Sequence, residues 1–317
     1  MSKSPFLQSV RTEIRTKQYS YRTEKSYLYW VRQFILFNDK KHPKVMGNHE
    51  IERFLNHLAV NRGVSPGTQN QALCAIIFVY KHVLKREIEN LQYKMTKTPR
   101  RMPTVLSPDE VASILQNMDA EYWLITALLY GCGLRINEAL SLRVKDIDLK
   151  SRSLLVFNGK GRKDRYTLIP GNLRENMERQ FAHESDLADG FGLTSVPASL
   201  HKKYGPAMKD FGWQYLFPSV TRCVHPIAGY VCRHHLHHSS YSRRLRQAVL
   251  ATGITKRVTA HTFRHAFATE LLRSGSDIRT VQEILGHSDI RTTEIYTHVI
   301  GDRRAGTVSP FDRLPSS

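Results

Sequence analysis

Five side chains in this sequence of 317 residues are of the types that can act together on a phosphodiester. Two arginines supply fixed positive charge for phosphate oxygens, because a guanidinium group is planar and stays protonated. Two histidines can donate hydrogen bonds or move a proton near neutral pH. A tyrosine can attack phosphorus with its phenol oxygen and leave a covalent intermediate. These residues are Arg135, His261, Arg264, His287 and Tyr296.

Such an attack also needs help at both reacting oxygens. A free phenol has a pKa of about 10, so Tyr296 requires cationic surroundings to react at neutral pH. The departing 5′-oxygen needs a proton, and Lys160 is our candidate donor, with Lys163 as its near rival. Both lysines lie between segments 153–157 and 166–169, which are typical of β-strands, so the sequence predicts a hairpin with a cationic tip.

The elements that must position these residues form two predicted domains. Residues 1–92 have apolar side chains at three- and four-residue spacing and basic outer faces, which predicts an all-helical domain. Residues 93–104 have prolines and cations but no apolar period, which indicates a basic linker. Residues 105–317 start with a capped helix at Ser107-Pro-Asp-Glu110. Beyond the hairpin this domain is expected to be mostly helical, so the predicted fold is mainly α with a small β-sheet in an α+β second domain.

A short internal repeat positions the last motifs. Ser276-Asp-Ile-Arg-Thr280 recurs as Ser288-Asp-Ile-Arg-Thr292, and each copy is typical of a capped helix start. Gly286 lies between the copies and is expected to end the first helix. The pattern predicts that His287 lies at a tight junction between two helices, with Tyr296 further along the second helix.

The composition indicates a negatively charged partner. Lys and Arg number 47 against 28 Asp and Glu, a net charge of +19, which favours nucleic acid first and an anionic membrane second. The membrane alternative is weak because no segment approaches the roughly 18–20 apolar residues that cross a bilayer, and the first residues do not form a signal peptide. Four cysteines are too few for a disulfide framework. We therefore expect a cytoplasmic protein that binds nucleic acid.

The order and spacing of the motifs resemble those of the tyrosine recombinases, the phage-integrase family, over essentially the whole chain. The first arginine of that family lies in a Gly-Leu-Arg-x-x-Glu segment, which Gly133-Leu-Arg135-Ile-Asn-Glu138 matches. Glu138 is expected to hold this segment in place. The other matches are Lys160 for the hairpin lysine, His261 to Arg264 for His-x-x-Arg, Leu285 to His287 for Leu-Gly-His, and Tyr296 for the nucleophile.

The resemblance implies a site-specific DNA recombinase that needs neither metal nor another cofactor. Tyr296 would form a 3′-phosphotyrosine, the arginines and histidines would hold the phosphate, and Lys160 would protonate the leaving 5′-hydroxyl. The first domain would be the core-binding domain of the family, which clamps the other side of the duplex. Four protomers would act on two sites. The C-terminal tail, with Val308, Phe311 and Leu314, would dock on a neighbouring protomer or, alternatively, pack within its own chain.

An insertion at about 185–240 is longer than in simple members of the family and rich in aromatic and cationic residues. It resembles the additional segment of integron integrases, which recombine gene-cassette sites folded from a single strand as well as a duplex attachment site. Aromatic rings stack on unpaired bases, a contact of roughly 1–3 kcal/mol each. The candidate DNA contacts are Trp213, His234 and His235 in the insertion and Lys163 in the hairpin.

Two other roles are open for residues of the insertion. Trp213 is equally well explained by packing in the core of the insertion, and for Phe217 we favour the core. Cys223, Cys232 and the histidines beside them could bind zinc, although their spacing is not that of a common zinc finger.

The function also has alternatives. Within the family, the chain could be a phage or chromosome-dimer recombinase that acts on duplex sites only. A type IB topoisomerase uses the same active-site chemistry but would relax DNA without recombining it. From another class, a DNA-binding regulator would bind without cutting, and covalent trapping on a nicked substrate separates this case from the others.

Overall fold

The structure is a computed structural model that describes residues 4–88, 91, 103–157, 164–188, 193–197 and 200–301. The chain separates into two compact units, Met1–Arg101 and Met102–Ser317. The described residues are mostly helical with small antiparallel sheets, which confirms the expected fold class. Most of the predicted linker and the C-terminal tail with Val308, Phe311 and Leu314 lie outside the described residues. No helix in the described part of the chain is long and apolar enough to cross a bilayer.

The first unit is built from helices whose starts are fixed by serine caps. Ser4, Ser20 and Ser65 each accept a hydrogen bond from a backbone N–H in the first turn of the helix that follows. Pro66 occupies the first turn of its helix, as the sequence predicts. The apolar faces of the helices meet in one buried cluster. The helices are α1 (Pro5–Thr16), α2 (Tyr21–Phe37), α3 (Asn48–Val60) and α4 (Pro66–Phe78).

The second unit begins with a capping box that agrees with the prediction. The backbone N–H of Glu110 donates to Ser107 Oγ at 3.2 Å, and the N–H of Ser107 donates to Glu110 Oε2 at 2.8 Å. The helix that follows packs its apolar face into the core of this unit. The first helices of the unit are α5 (Pro108–Gln116), α6 (Ala120–Gly131) and α7 (Ile136–Leu140).

A three-stranded antiparallel sheet follows α7, and it confirms the predicted hairpin. The strands are β1 (Ile147–Asp148), β2 (Ser153–Val156) and β3 (Arg165–Leu168), in the order β1-β2-β3. Leu154 and Val156 of β2 are buried, which anchors the hairpin base on the core. The tip, residues 158–163, lies outside the described residues, and with it Lys160 and Lys163.

The insertion is not mostly helical as expected, and the structure corrects that prediction. After α8 (Arg174–Ala188), an antiparallel ribbon forms from β4 (Pro218–Val224) and β5 (Val231–His235). Valine and threonine dominate the centre of β4, and β-branched residues favour the extended conformation. Gly229, with φ +75°, lies in the turn that joins the strands.

The last described helices carry the C-terminal motifs. They are α9 (His238–Thr252), α10 (Ala260–Arg273), α11 (Ile278–Leu285) and α12 (Arg291–Gly301). α10 packs against α6, α11 and α12, so it lies at the centre of this part of the unit. Gly286 ends α11 in the left-handed conformation with φ +62°, as the sequence predicts.

Candidate active site

Arg135 stands at the start of α7, where Glu138 fixes both its backbone and its side chain. The N–H of Arg135 donates to Glu138 Oε2 at 2.9 Å, and its guanidinium Nη1 donates to Oε1 at 2.7 Å. Gly133 precedes it with φ +64°, and a Cβ atom there would overlap the ring of Phe267. The glycine is therefore required both by the backbone conformation and by the close approach of α10.

Glu138 is shared by three guanidinium groups. Arg165, at the start of β3, donates to both of its carboxylate oxygens at 3.0 and 2.7 Å, and Arg264 lies 3.9 Å away. Burial by itself would raise the pKa of Glu138, but the hydrogen bonds and charge of Arg165 and Arg135 outweigh it and lower this pKa to about 2. With Glu138 ionised, the cluster retains an excess of positive charge that suits an anionic ligand.

The same three arginines bind consecutive carbonyl groups at the end of α11. Arg165 Nε donates to the carbonyl of Ile284 at 2.9 Å, and Arg264 Nη2 donates to that of Leu285. Arg135 Nη2 reaches the carbonyl of Gly286 at 3.5 Å. The last carbonyls of a helix have no partner within the helix and carry partial negative charge, so guanidinium groups stabilise this end.

His261 and Arg264 share α10, as predicted, but differ in exposure. Arg264 is 3% exposed and also donates to the carbonyl of Gly133, so its position is fixed from two sides. His261 is exposed at the start of the helix. Desolvation of its ring and the charges of Arg264 and Arg135 lower the pKa of His261, which favours the neutral imidazole.

Tyr296 is only 3% exposed and packs among apolar residues of α10 and α11. Its phenol oxygen lies 2.8 Å from Nδ1 of His265, the residue that follows Arg264. Burial raises the pKa of Tyr296, whereas the charges of Arg264 and Arg135 act in the opposite direction. The tyrosine is thus held neutral and hydrogen-bonded beside a cationic cluster.

His287 follows the left-handed Gly286 and turns back toward Tyr296. Its ring is roughly parallel to the phenol ring, with centroids 6.4 Å apart. Nδ1 of His287 lies 2.9 Å from Oγ1 of Thr293, whose side chain is fully buried. This hydrogen bond fixes the orientation of the His287 ring.

The structure therefore brings Arg135, His261, Arg264, His287 and Tyr296 together around the C-terminal end of α11. Lys160 and Lys163 lie outside the described residues. Sequence reasoning missed other members of the site. They are Arg165, His265 and Thr293, which bind Glu138, Tyr296 and His287 respectively.

The predicted DNA contacts of the insertion lie close to Arg143, a residue before the insertion that sequence reasoning missed. The Arg143 guanidinium lies 4.3 Å from the ring centre of Tyr215 and 5.4 Å from that of Trp213. Trp213 is half-buried against Tyr204, with ring centroids 4.7 Å apart. His234, stacked on Tyr215, is exposed, whereas His235 is half-buried.

The structure also bears on the core role of Phe217 and on the zinc alternative for the cysteines of the insertion. Phe217 is buried in the core of the second unit, which confirms the structural interpretation of that residue. Cys223 and Cys232 are paired across the ribbon as free thiols. Among the residues that the structure describes, no three His, Cys, Asp or Glu side chains come close enough together to hold a metal ion, so these residues do not support the zinc alternative.

The site combines a tyrosine with arginine and histidine groups on a helical unit with a small sheet. Residues 104–302 match the phage integrase family, and residues 6–90 match the phage integrase N-terminal SAM-like domain. The chain is 44% identical to an integrase/recombinase of Escherichia coli over 98% of this chain and 94% of the relative. It is 30% identical to the tyrosine recombinase XerC of Myxococcus xanthus over 94% of each. The chain belongs to the phage integrase family of tyrosine recombinases, enzymes that cleave and rejoin DNA at specific sites.

Solved structures show the same fold. The Tn1549 transposon integrase in complex with transposon right end DNA aligns with a TM-score of 0.63 at 16% identity, covering 95% of this chain and 99% of that one. The XerH site-specific recombinase bound to palindromic difH substrate aligns with a TM-score of 0.59 at 21% identity, covering 97% and 84%. At such identities the likeness concerns the fold and not the substrate.

Proposed function

We propose that this recombinase cuts DNA through a 3′-phosphotyrosine at Tyr296. The observation that carries the proposal is that the phenol oxygen lies near a cluster of three arginines. The cluster contains one carboxylate, that of Glu138, so its net charge is positive. Attack on phosphorus places extra negative charge on the non-bridging oxygens, and fixed guanidinium groups stabilise that charge without reorganising. The covalent bond conserves the energy of the broken phosphodiester for rejoining.

Each residue of the site has a proposed role. Arg135 and Arg264 bind the phosphate, and His261 and His287 donate hydrogen bonds to its developing charge. Lys160 protonates the departing 5′-oxygen. A second 5′-hydroxyl then attacks the phosphotyrosine and rejoins the strands in the new arrangement.

Covalent trapping tests this chemistry. Nicked suicide duplexes, selected for binding from a random-sequence pool, should become attached to the wild-type protein and resist denaturing electrophoresis. Tyr296→Phe should bind the same DNA and form no adduct, whereas Tyr130→Phe, a half-buried tyrosine of α6, should behave as wild type. DNA binding without any adduct would make the chain a regulator that does not cut.

For the substrate, we propose an integron-type recombinase that captures and excises gene cassettes at folded single-strand sites and joins them to a duplex site. The supporting features are the length of the insertion and its aromatic surface next to cations: Trp213 lies 4.7 Å from Lys145 Nζ and 5.4 Å from the Arg143 guanidinium. Such a surface suits an unpaired base, which needs a ring to stack on and a cation for its phosphate. Lys163 and the exposed His234, with His235 beside it, would complete this contact.

Recombination of paired sites tests the substrate. The wild-type protein should recombine an imperfect hairpin with extrahelical bases, folded from one strand, with a duplex partner. Trp213→Ala should reduce use of the hairpin roughly fivefold or more, because one stacked base contributes roughly 1–3 kcal/mol. Adduct formation on duplex sites should remain intact. Recombination of duplex pairs alone would favour the alternative, a phage or chromosome-dimer type of recombinase.

We also propose the assembly that the family resemblance implies. The basic first domain, predicted as residues 1–92, and the linker at 93–104 would clamp the duplex opposite the catalytic domain, 105–317. The net charge of +19 supports DNA as the partner, and so do the fold neighbours in complex with DNA. Four protomers would act together, with the tail that contains Val308, Phe311 and Leu314 exchanged between neighbours.

A further inference from the structure

His265 contacts the atom that the proposed reaction uses as its nucleophile. Its Nδ1 lies 2.8 Å from the phenol oxygen of Tyr296, and the two ring centroids are 5.5 Å apart. The residue belongs to α10, directly after Arg264 and one helical turn after His261. Since α10 also carries Arg264, the same helix presents a phosphate ligand and an imidazole to the reacting atoms.

The surroundings of Tyr296 exclude water from the other sides of the ring. Phe267, Ala268, Val281 and Leu285 form one buried apolar cluster with it. Among the residues that the structure describes, His265 is the hydrogen-bonding partner of the phenol oxygen. Nδ1 of His287 is already bound to Thr293, so that ring cannot offer the same nitrogen to the phenol.

The imidazole of His265 is kept neutral in the DNA-free protein. Burial, together with the positive charge of Arg264 and the neighbouring His261, lowers the pKa of His265 to about 4. The other titratable and charged groups around this region are Arg135 and Glu138 at the start of α7, Arg165 on β3, Tyr296 on α12 and His287 after α11. A neutral ring has a free lone pair, and the arrival of an anionic phosphate beside the arginines raises its affinity for a proton.

We infer that His265 is the general base that accepts the phenolic proton of Tyr296 as the oxygen attacks phosphorus. This inference rests on the proposed phosphotyrosine chemistry. The O–H bond of Tyr296 breaks and its proton moves to Nδ1, while the oxygen–phosphorus bond forms. The bond from phosphorus to the 5′-oxygen breaks, and that oxygen takes a proton from Lys160. In rejoining, the incoming 5′-hydroxyl gives its proton to the neutral amine of Lys160 as its oxygen bonds to phosphorus. The bond from phosphorus to the tyrosine oxygen breaks, and the imidazolium of His265 returns the proton to that oxygen.

Two substitutions separate a base from a residue that only holds the tyrosine. In His265→Asn the amide oxygen takes nearly the position of Nδ1, so the hydrogen bond from Tyr296 is retained but no proton can be accepted. His265→Ala removes both. His238→Gln, an exposed histidine at the start of α9, is the matched control.

The measurement is the single-turnover rate of adduct formation on a nicked suicide duplex, from about pH 6 to about pH 9. The wild-type rate should change little across this range. Both His265 variants should be slower by roughly 10²–10⁴-fold at neutral pH, the usual contribution of general acid–base catalysis. Their rates should then rise about tenfold per pH unit, because hydroxide must now remove the phenolic proton. DNA affinity and thermal unfolding of His265→Asn should match those of the wild type.

A substrate with sulfur in place of the departing 5′-oxygen separates proton removal at Tyr296 from proton donation to the leaving group. A thiolate leaves without protonation because a thiol has a pKa of only about 8.5. The sulfur should restore adduct formation to Lys160→Ala. It should not restore it to His265→Asn, because the defect of that variant lies at the phenol oxygen of Tyr296 and not at the departing oxygen.

The possible outcomes are distinct. If His265→Asn keeps the wild-type rate and pH dependence and only His265→Ala is slower, the residue positions Tyr296. That outcome would overturn the assignment of His265 as a general base. Rescue of His265→Asn by the sulfur substrate would overturn it as well. If the wild-type protein forms no adduct, the proposed chemistry fails and the base fails with it, whereas an active wild type with unaffected His265 variants refutes only the base.

Discussion

Arg165 donates two hydrogen bonds to Glu138, at 2.7 and 3.0 Å, and so joins the base of the β2–β3 hairpin to the carboxylate that holds Arg135. Arg165 begins β3, directly after the hairpin tip. The strand that follows the loop with Lys160 is therefore attached to the arginine cluster that we propose binds phosphate. A substitution that displaces Arg165 is therefore expected to change the position of both the hairpin and the arginine cluster.

The first prediction concerns the loss of the shared carboxylate. Glu138→Gln leaves Arg135, Arg165 and Arg264 without a counter-charge, and removing one partner of a buried ion pair costs about 3–5 kcal/mol. We expect a fall of that size in the free energy of unfolding, measured by urea denaturation near neutral pH. Glu283→Gln, an exposed carboxylate of α11, should change stability by less than about 0.5 kcal/mol.

The stability of the wild-type protein and that of Glu138→Gln should also depend differently on pH. The pKa of Glu138 is lowered in the folded state from 4.5 to about 2, so its stabilising contribution is fully present above about pH 4.5 and is lost as the pH falls toward 2. The shift corresponds to roughly 3 kcal/mol. The stability gap between wild type and Glu138→Gln should therefore narrow by about this amount across that window, and a gap that stays constant would contradict the assignment.

The second prediction concerns the close approach of Arg165 to Gly286. A Cβ atom at Gly286 would lie 2.7 Å from Cδ of Arg165, whose guanidinium is held by Glu138 and the Ile284 carbonyl. Gly286→Ala should therefore cost more than the roughly 1–2 kcal/mol of a left-handed alanine. Gly253→Ala is the matched control, because Gly253 has φ +71° and no neighbour within 4 Å of the added atom.

A double-mutant cycle checks this explanation. If the extra cost of Gly286→Ala comes from the Arg165 side chain, it should disappear in an Arg165→Ala background. Equal costs in the two backgrounds, or equal costs at Gly286 and Gly253, would attribute the effect to backbone conformation alone.

The third prediction concerns the orientation of His287. Thr293→Val keeps the shape of the buried side chain but removes the hydroxyl that binds Nδ1 of His287. We expect adduct formation to slow by about fivefold with DNA affinity unchanged, since a neutral hydrogen bond contributes on the order of 1 kcal/mol. Thr293→Ser retains the hydroxyl and should restore the rate. A serine variant as slow as the valine variant would show that packing is responsible.

The fourth prediction concerns the tautomer of His265 in the DNA-free protein. If Tyr296 donates its hydrogen bond to Nδ1, the ring should be neutral at about pH 6, with its proton on Nε2. Nitrogen NMR of labelled histidine should then show an unprotonated Nδ1 whose resonance moves in Tyr296→Phe. A protonated Nδ1 would mean that the histidine donates to the phenol in the resting state.

Local signals in the sequence were sufficient to predict the helix starts and the junction at Gly286. Serine, proline and glycine act on the backbone of their own turn, so Ser107 and Gly286 reveal their roles without tertiary context. The hairpin was predictable for the same reason. The ordered series of catalytic residues was recognisable because its motifs resemble those of a family.

Other parts of the site depend on contacts that no local pattern contains. Arg165 meets Glu138 across 27 positions of the chain, and Tyr296 meets His265 across 31. His265 stands beside Arg264 in sequence, but only the packing of α12 on α10 shows that its ring reaches the phenol. The ribbon of β4 and β5 was missed because neither strand alternates buried apolar and exposed polar residues: β4 is exposed along most of its length, and β5 ends in arginine and two histidines.

The arginines that bind the carbonyls of Ile284, Leu285 and Gly286 come from three separate elements of the chain. For protein engineering, this means that the α11–α12 segment is not an independent module. A chimera that receives this segment from a relative must also provide guanidinium groups at positions 135, 165 and 264 and the carboxylate at 138. The exchangeable part of the active site is thus discontinuous in sequence, and grafts should be designed on that set of residues rather than on contiguous boundaries.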